Sequence, residues 1–264
     1  MQGRHRPAER RSIQGRHRPA ERPTGRPWHP GGVSGTSVPG RPRLATRRRP
    51  GLTPREEVLD AAGELFTTRG YAATSTRRIA EAVGMRQPSL YHHFRTKDDI
   101  LEALLSGTVT APLAIADALD PLPLTAPVRL YALCLADAGQ LWTSPWNLGI
   151  LYLLPEVRTE RFARFHRQRD ALRLRYRALS QAVLDALPPQ GPGHYRPDPA
   201  DDTVFRLTET LPNLRADGLG FPDQPRRIAD LALHTLGWPG DPGGHHDEAQ
   251  RALDGVALTP QHAS

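Results

Sequence analysis

The run from Thr74 to Lys97 constrains this chain more than any other stretch. Thr74, Ser75 and Thr76 are each able to cap a helix, and Ile79, Ala80 and Val83 follow at helical spacing. Gly84 comes next, where a left-handed residue ends a helix at low cost. A second short helix is predicted from Gln87, with Pro88 in its first turn, where a missing N–H does no harm. It places Leu90 and Phe94 on one face and turns Ser89, Tyr91 and His93 largely away from it. Two short helices around a tight glycine turn describe a helix-turn-helix, whose second helix lies in the major groove of DNA. An amide, a hydroxyl, a phenol, an imidazole and a trailing cation suit that position.

The flanks extend the pattern. Thr53-Pro54-Arg55-Glu56 reads as a capping box with proline at the first helical position. The helix it starts carries Val58, Ala61, Ala62, Leu65 and Phe66 on one face and ends at Gly70. A further helix is predicted from Thr96 to about Ser106. Its early acids Asp98, Asp99 and Glu102 complement the helix dipole, with Ile100, Leu101, Leu104 and Leu105 behind them.

Residues 53 to about 105 resemble the DNA-binding domain of the tetracycline-repressor (TetR) family. The resemblance is carried by Val58 to Tyr71, by Thr74-Ser75-Thr76-Arg77-Arg78-Ile79-Ala80 and by Leu90-Tyr91-His92-His93-Phe94-Arg95-Thr96-Lys97. It implies a DNA-binding, effector-responsive transcriptional regulator, a repressor, acting as a homodimer on a palindromic double-stranded operator. It places Gln87, Pro88, Ser89 and Arg77 toward base edges. Gln can bind adenine and Arg guanine through paired hydrogen bonds, and Pro88 offers an apolar face to a thymine methyl. Tyr91, His93 and Lys97, with Thr76 as a helper, are placed to meet phosphates, which set register rather than sequence. The helix beginning near Thr96 would carry the effector signal. The last two helices, about Asp198 to Leu211 and Asp223 to Leu236, would pair two copies.

Charge is unevenly distributed. The first fifty residues hold thirteen Arg against Glu9 and Glu21, whereas residues 53 to 97 hold seven cations against five anions. The pI near 10.2 therefore belongs to the N-terminal arm, and DNA affinity must come from placement of charge rather than bulk excess. Residues 1–50, rich in Arg, Pro and Gly, are expected to be disordered. Within them Gln2 to Arg10 recurs unchanged as Gln14 to Arg22. Three readings of this arm stay open: a basic tail adding nonspecific DNA affinity, an inert extension, or sequence upstream of the true start.

Residues 51–100 are read as the DNA-binding domain, 101–238 as a helical effector-binding and dimerisation domain, and 239–264 as a flexible tail. After a weak, proline-punctuated stretch from Thr108 to Pro127, helices are predicted over Val128 to Trp142, Arg158 to about Leu187, Asp198 to Leu211 and Asp223 to Leu236. No segment alternates with period two for long, so the fold class is all-α. Eight Arg between Arg158 and Arg177 read as a solvated helix face, with a second nucleic-acid surface as the rival. The aromatics Tyr131, Trp142, Trp146, Tyr152, Phe162, Phe165 and Tyr176 are core candidates. They are also candidate walls of an effector pocket, Trp142 and Trp146 foremost.

The lone cysteine, Cys134, fits a reducing cytoplasm and core packing. No apolar run approaches the roughly 18 residues of a membrane span, so no membrane partner is expected. Nucleophile-elbow, P-loop, dinucleotide and His-Glu-x-x-His motifs are lacking, so neither an enzyme nor a cofactor is implied. His245-His246-Asp247 is too sparse to read as a metal site. Two rivals remain from other classes: an enzyme or carrier with an accessory DNA-binding head, and an architectural DNA binder driven by the arm.

Overall fold

Thr53 starts the first helix with both halves of a capping box. Its side chain accepts from the Glu56 N–H at 3.2 Å, and the Glu56 carboxylate accepts from the Thr53 N–H at 3.1 Å. The structure is a computed structural model that describes residues 49, 51, 53–188, 197–198, 202–239 and 242–258. Apart from Arg49, the N-terminal arm with its repeat lies outside the described residues.

Ten α-helices form among the described residues, without strands. The head comprises α1 (Pro54–Arg69), α2 (Thr76–Val83) and α3 (Gln87–His93). The body follows with α4 (Lys97–Leu119), α5 (Ala126–Thr143), α6 (Ala163–Asp185), α7 (Thr203–Thr208), α8 (Leu211–Ala216), α9 (Gln224–Thr235) and α10 (Pro242–Leu258). Between α5 and α6 a strap of three 3-10 turns runs over Leu148–Leu153, Pro155–Arg158 and Glu160–Phe162. Helix α5 is central, packed by α4, α6, α9 and α10. Leu130, Tyr131, Ala132, Leu133 and Cys134 are all fully buried there.

Several expectations are corrected. Helix α4 does not fade after Ser106 but continues through Pro112. A proline inside a helix orphans the carbonyl four residues back, here that of Thr108. Gln140 on α5 donates its Nε2 to that carbonyl at 2.5 Å, which removes the usual reason for a break. The same helix is long and apolar enough, by length and composition, to cross a membrane, because Gly, Thr and Ala dilute its runs without making it polar. Ile100, Leu101 and Leu105 on it are fully buried against the protein core.

Helix α6 begins at Ala163 rather than Arg158, and the preceding 3-10 turns let Val157 and Phe162 both enter the core. Asp198 is not helical, and α7 starts at Thr203, preceded by Asp202 in a left-handed conformation (φ 60°) with ion pairs to Arg173 and Arg177. Pro212 stands in the first turn of α8, a separate helix after α7. Finally, the presumed loose tail contains α10. Ala249 is fully buried, and Ala252, Leu253 and Val256 pack beside it at three- and four-residue steps.

Five of the eight Arg on and before α6 pair with acids on other turns or elements: Arg161, Arg169, Arg173, Arg175 and Arg177. These ties, from Asp99 and Glu102 on α4 to Asp202 and Glu209 near α7, support the solvated-face reading over a second nucleic-acid surface.

Candidate nucleic-acid interface

Local devices fix each residue of the outward face. Ser75 is extended, and its Oγ accepts from the Arg78 N–H at 3.3 Å, which starts α2 at Thr76. Gly84 stops α2 in the left-handed region, with φ 76° and ψ 29°. The Gly84 N–H reaches the Glu81 carbonyl and the Met85 N–H reaches that of Ala80, the paired bonds of a Schellman turn. That geometry aims α3 across α2. Leu90, fully buried, and Phe94, nearly so, anchor α3 from beneath, and the Arg55 guanidinium lies 4.8 Å over the Phe94 ring.

The opposite face of α3 is open. Pro88, Ser89, Tyr91 and His93 are exposed, as is Arg77 on α2, while Thr76, Gln87 and Lys97 are half-buried. Three of these side chains converge. Gln87 Nε2 donates to Thr76 Oγ1 at 3.3 Å and to the Tyr91 hydroxyl at 3.1 Å, and the two hydroxyls are 3.2 Å apart. Both amide hydrogens of Gln87 are thereby used internally, and its carbonyl oxygen can act only as an acceptor. Arg77 pairs with Glu81 at 2.9 Å, an exposed contact weak enough to exchange for a phosphate or a guanine edge.

Lys97 does not simply project outward. Its Nζ donates to the Tyr71 carbonyl at 2.9 Å and sits 4.0 Å from the Tyr71 ring centre. The Tyr71 hydroxyl in turn donates to Asp98, and burial, then this carboxylate, push the phenol above its ordinary range. The start of α4 is thus bolted to the turn between α1 and α2. An ammonium has three N–H groups, so the Tyr71 bond leaves donors for a phosphate.

The seven aromatic candidates of the body do not share one cavity. Tyr152 and Phe165 stack at 5.5 Å and both line a cleft of about 240 Å³ between the strap, α6, α7 and α8. Tyr131 is buried and donates to Asp230 at 2.7 Å, with its ring 6.0 Å from that of His246. Tyr176 donates to the buried Asp137 at 2.8 Å, and its ring meets that of Phe205 at a tilt, 5.6 Å between centres. Phe162 fills the core. Trp142 belongs to a separate cluster with Ala138, Leu141, Leu211 and Ile228. Trp146 leaves the body altogether: its indole N–H donates to Asp60 on α1 at 2.8 Å, and its ring covers Gly63 so closely that a Cβ there would lie 2.8 Å from it.

Sequence reasoning missed the charged half of the cleft. His166, Arg169, Arg206 and Glu209 line it together with Tyr152 and Phe165. Arg169 and Glu209 are 40 positions apart, and only a solvated-looking arginine face hinted at them.

Residues 58–104 match the model of the family described as bacterial regulatory proteins, tetR family. The HTH-type transcriptional repressor KstR2 of Rhodococcus jostii is 47% identical over 53 residues, which covers 20% of this chain and 26% of that protein. Tetracycline repressor protein class C of Escherichia coli is 43% identical over 56 residues, or 21% and 26% of the two chains. The matches thus span about a quarter of these curated relatives, the head alone. Similarity over the body comes from a solved structure, Mycobacterium smegmatis AmtR. It is 52% identical, with a TM-score of 0.71, covering 79% of this chain and 98% of that one.

Proposed function

This chain belongs to the tetR family of bacterial regulatory proteins, and from that premise we propose that it is a ligand-responsive repressor that binds a palindromic operator as a homodimer. The observation that carries the reading is the exposed first turn of α3, with Gln87 held against Thr76 and Tyr91 on a helix whose direction Gly84 sets. Gln87, Pro88, Ser89 and Arg77 read base edges; Thr76, Tyr91, His93 and Lys97 meet phosphates. One head covers only a few base pairs, so two heads spaced by the helical repeat supply affinity and register.

Pairing of two copies is assigned to the outer face of α9 and the turn before it, where Leu219, Phe221 and Leu231 are about half exposed or more. The opposite face of α9 is spent on α5 through Ile228, Ala229, Ala232 and Leu233. The effector site is assigned to the cleft lined by Tyr152 and Phe165. Its strap reaches the head through Trp146 on α1 and Arg161 on Asp99 and Glu102 of α4. A ligand that shifts the strap therefore biases head separation, a population shift between two states. The protein acts in the cytoplasm, where bacterial DNA is read.

Footprinting and sedimentation test the proposal together: a two-fold symmetric footprint from a dimer is expected, and a monomer with no symmetric footprint overturns it. Tyr91→Ala should weaken binding to every operator variant. Gln87→Ala should change base preference by about 1–3 kcal/mol at one position per half-site. Equal losses on all variants would remove Gln87 from the reading set.

A further inference from the structure

We propose that the cleft between the strap and α6–α8 takes a small amphipathic anion, a carboxylate with an apolar body. The inference rests on the assignment of this cleft as the effector site and adds the chemistry of what fills it.

One side of the cleft is cationic. Arg169 donates its Nε to Glu209 Oε1 at 2.9 Å, with a second bond from Nη2 to the same oxygen, and Arg206 Nη1 donates to Glu209 Oε2 at 2.6 Å. Both guanidiniums also flank the Phe205 ring, at 5.3 and 5.8 Å, which restricts their freedom before any ligand arrives. Among the described residues Glu209 is the one acid paired with either arginine. Two permanent cations therefore share one carboxylate, and a guanidinium carries five N–H groups. The set is one negative charge short, and donors remain for a second anion.

Charge beyond the pair does not cancel this. His166 lines the same cleft, and its Nε2 lies 2.7 Å from the Val157 carbonyl. Asp137 lies deeper, 3% exposed, where burial pushes its carboxyl up to about 7, so much of its charge is suppressed at neutral pH. The other side of the cleft is apolar, formed by Tyr152, Leu153, Val157, Phe165 and Pro212. Leu153 stands 66% exposed at its mouth, the most exposed large hydrophobic side chain among the described residues. A cationic end and an apolar wall in a small cleft fit a molecule with a carboxylate at one end and hydrocarbon at the other.

Isothermal titration of the full chain with octanoate, octanol and octylamine tests this. Octanoate should bind, octanol should bind about tenfold more weakly or worse, and octylamine should not compete. Arg169→Gln should weaken octanoate by about tenfold or more. Glu209→Gln should strengthen it, because the resident carboxylate no longer competes; a merely structural Glu209 gives a loss instead. Equal binding of octanol and octanoate, no octanoate binding at millimolar concentration, or weakened binding in Glu209→Gln each overturns the inference. Operator binding is read separately. If octanoate binds with this pattern but never shifts operator affinity, the effector reading falls while the chemistry of the cleft stands. If another molecule releases the operator through this cleft without preferring an anionic head, only the present inference falls.

Discussion

In the head, the polar bonds that start and stop helices are short in sequence: Thr53 with Glu56, Ser75 with Arg78, Gly84 with Glu81, and Thr96 with Asp99 just beyond it. In the body, corresponding bonds join residues 32 positions apart (Gln140 to Thr108), 39 (Tyr176 to Asp137), 65 (Asn147 to Pro212) and 99 (Tyr131 to Asp230). The head is built from devices that each neighbouring segment carries for itself, and its core is a few side chains deep. The body is an apolar bundle stitched by single long-range polar contacts, so removal of one stitch is felt by two or three helices. In a regulator whose bundle shifted, that division would leave a locally specified reading surface intact.

The largest expected effect breaks the head alone. Leu90→Ala empties a fully buried position under α3 and should cost about 2–5 kcal/mol. Hydrogen exchange should rise across α2 and α3, and operator binding should be lost, while α5 and α9 keep their protection. Loss of protection in α5 as well would mean that head and body unfold as one unit, and the contrast drawn above would fail.

Next in size is a stitch of the body that senses pH. Asp137 is buried beside Tyr176, and burial raises its carboxyl to about 7. Because the folded value lies above the unfolded one, its contribution to stability is full at pH below about 4 and is lost as pH rises through about 7. Asn cannot ionise, so Asp137→Asn removes this slope. The stability of the native protein minus that of the variant should fall by about 2 kcal/mol between pH 5 and pH 7.5, as read from urea midpoints. A pH-independent difference would show that Asp137 is ionised throughout, and that the bundle carries a buried charge the present geometry does not explain.

The same contrast explains what could be read from residues alone. Capping boxes, Gly84 and the Leu90/Phe94 spacing are local, and the head emerged from them nearly to the residue. Pro112 looked like a stop because its compensation comes from Gln140, on another helix. Helix α10 was hidden by Gly243 and Gly244 in its first turn, although Ala249, Leu253 and Val256 carried the stripe. Aromatic clustering put Tyr152 and Phe165 among seven candidates, with Trp142 and Trp146 foremost, and could not separate a cleft wall from a filled core, since both need the same apolar surface. The charges that distinguish the cleft, Arg169 and Glu209, meet only after folding.

Trp146 is one of the points where the two regions touch, and its replacement sharpens the comparison. Trp146→Phe keeps a ring over Gly63 but deletes the 2.8 Å bond to Asp60, which Arg49 also approaches. A loss of about 1 kcal/mol is expected. If the bond couples strap to head, ligand-induced change in operator affinity should shrink while affinity without ligand stays nearly constant. Equal shifts in both would make Trp146 a packing residue only.

The smallest effect isolates one stitch. In Gln140→Met the Thr108 carbonyl loses its donor, because Pro112 cannot supply one, and about 1 kcal/mol should be lost. Pro112→Ala restores a backbone N–H four residues along, so the double variant should recover part of that loss. A coupling energy of about 0.5–1 kcal/mol in the double-mutant cycle is expected. Strict additivity would mean that α4 crosses its proline without help from α5, and that the body is less dependent on distant partners than its hydrogen bonds imply.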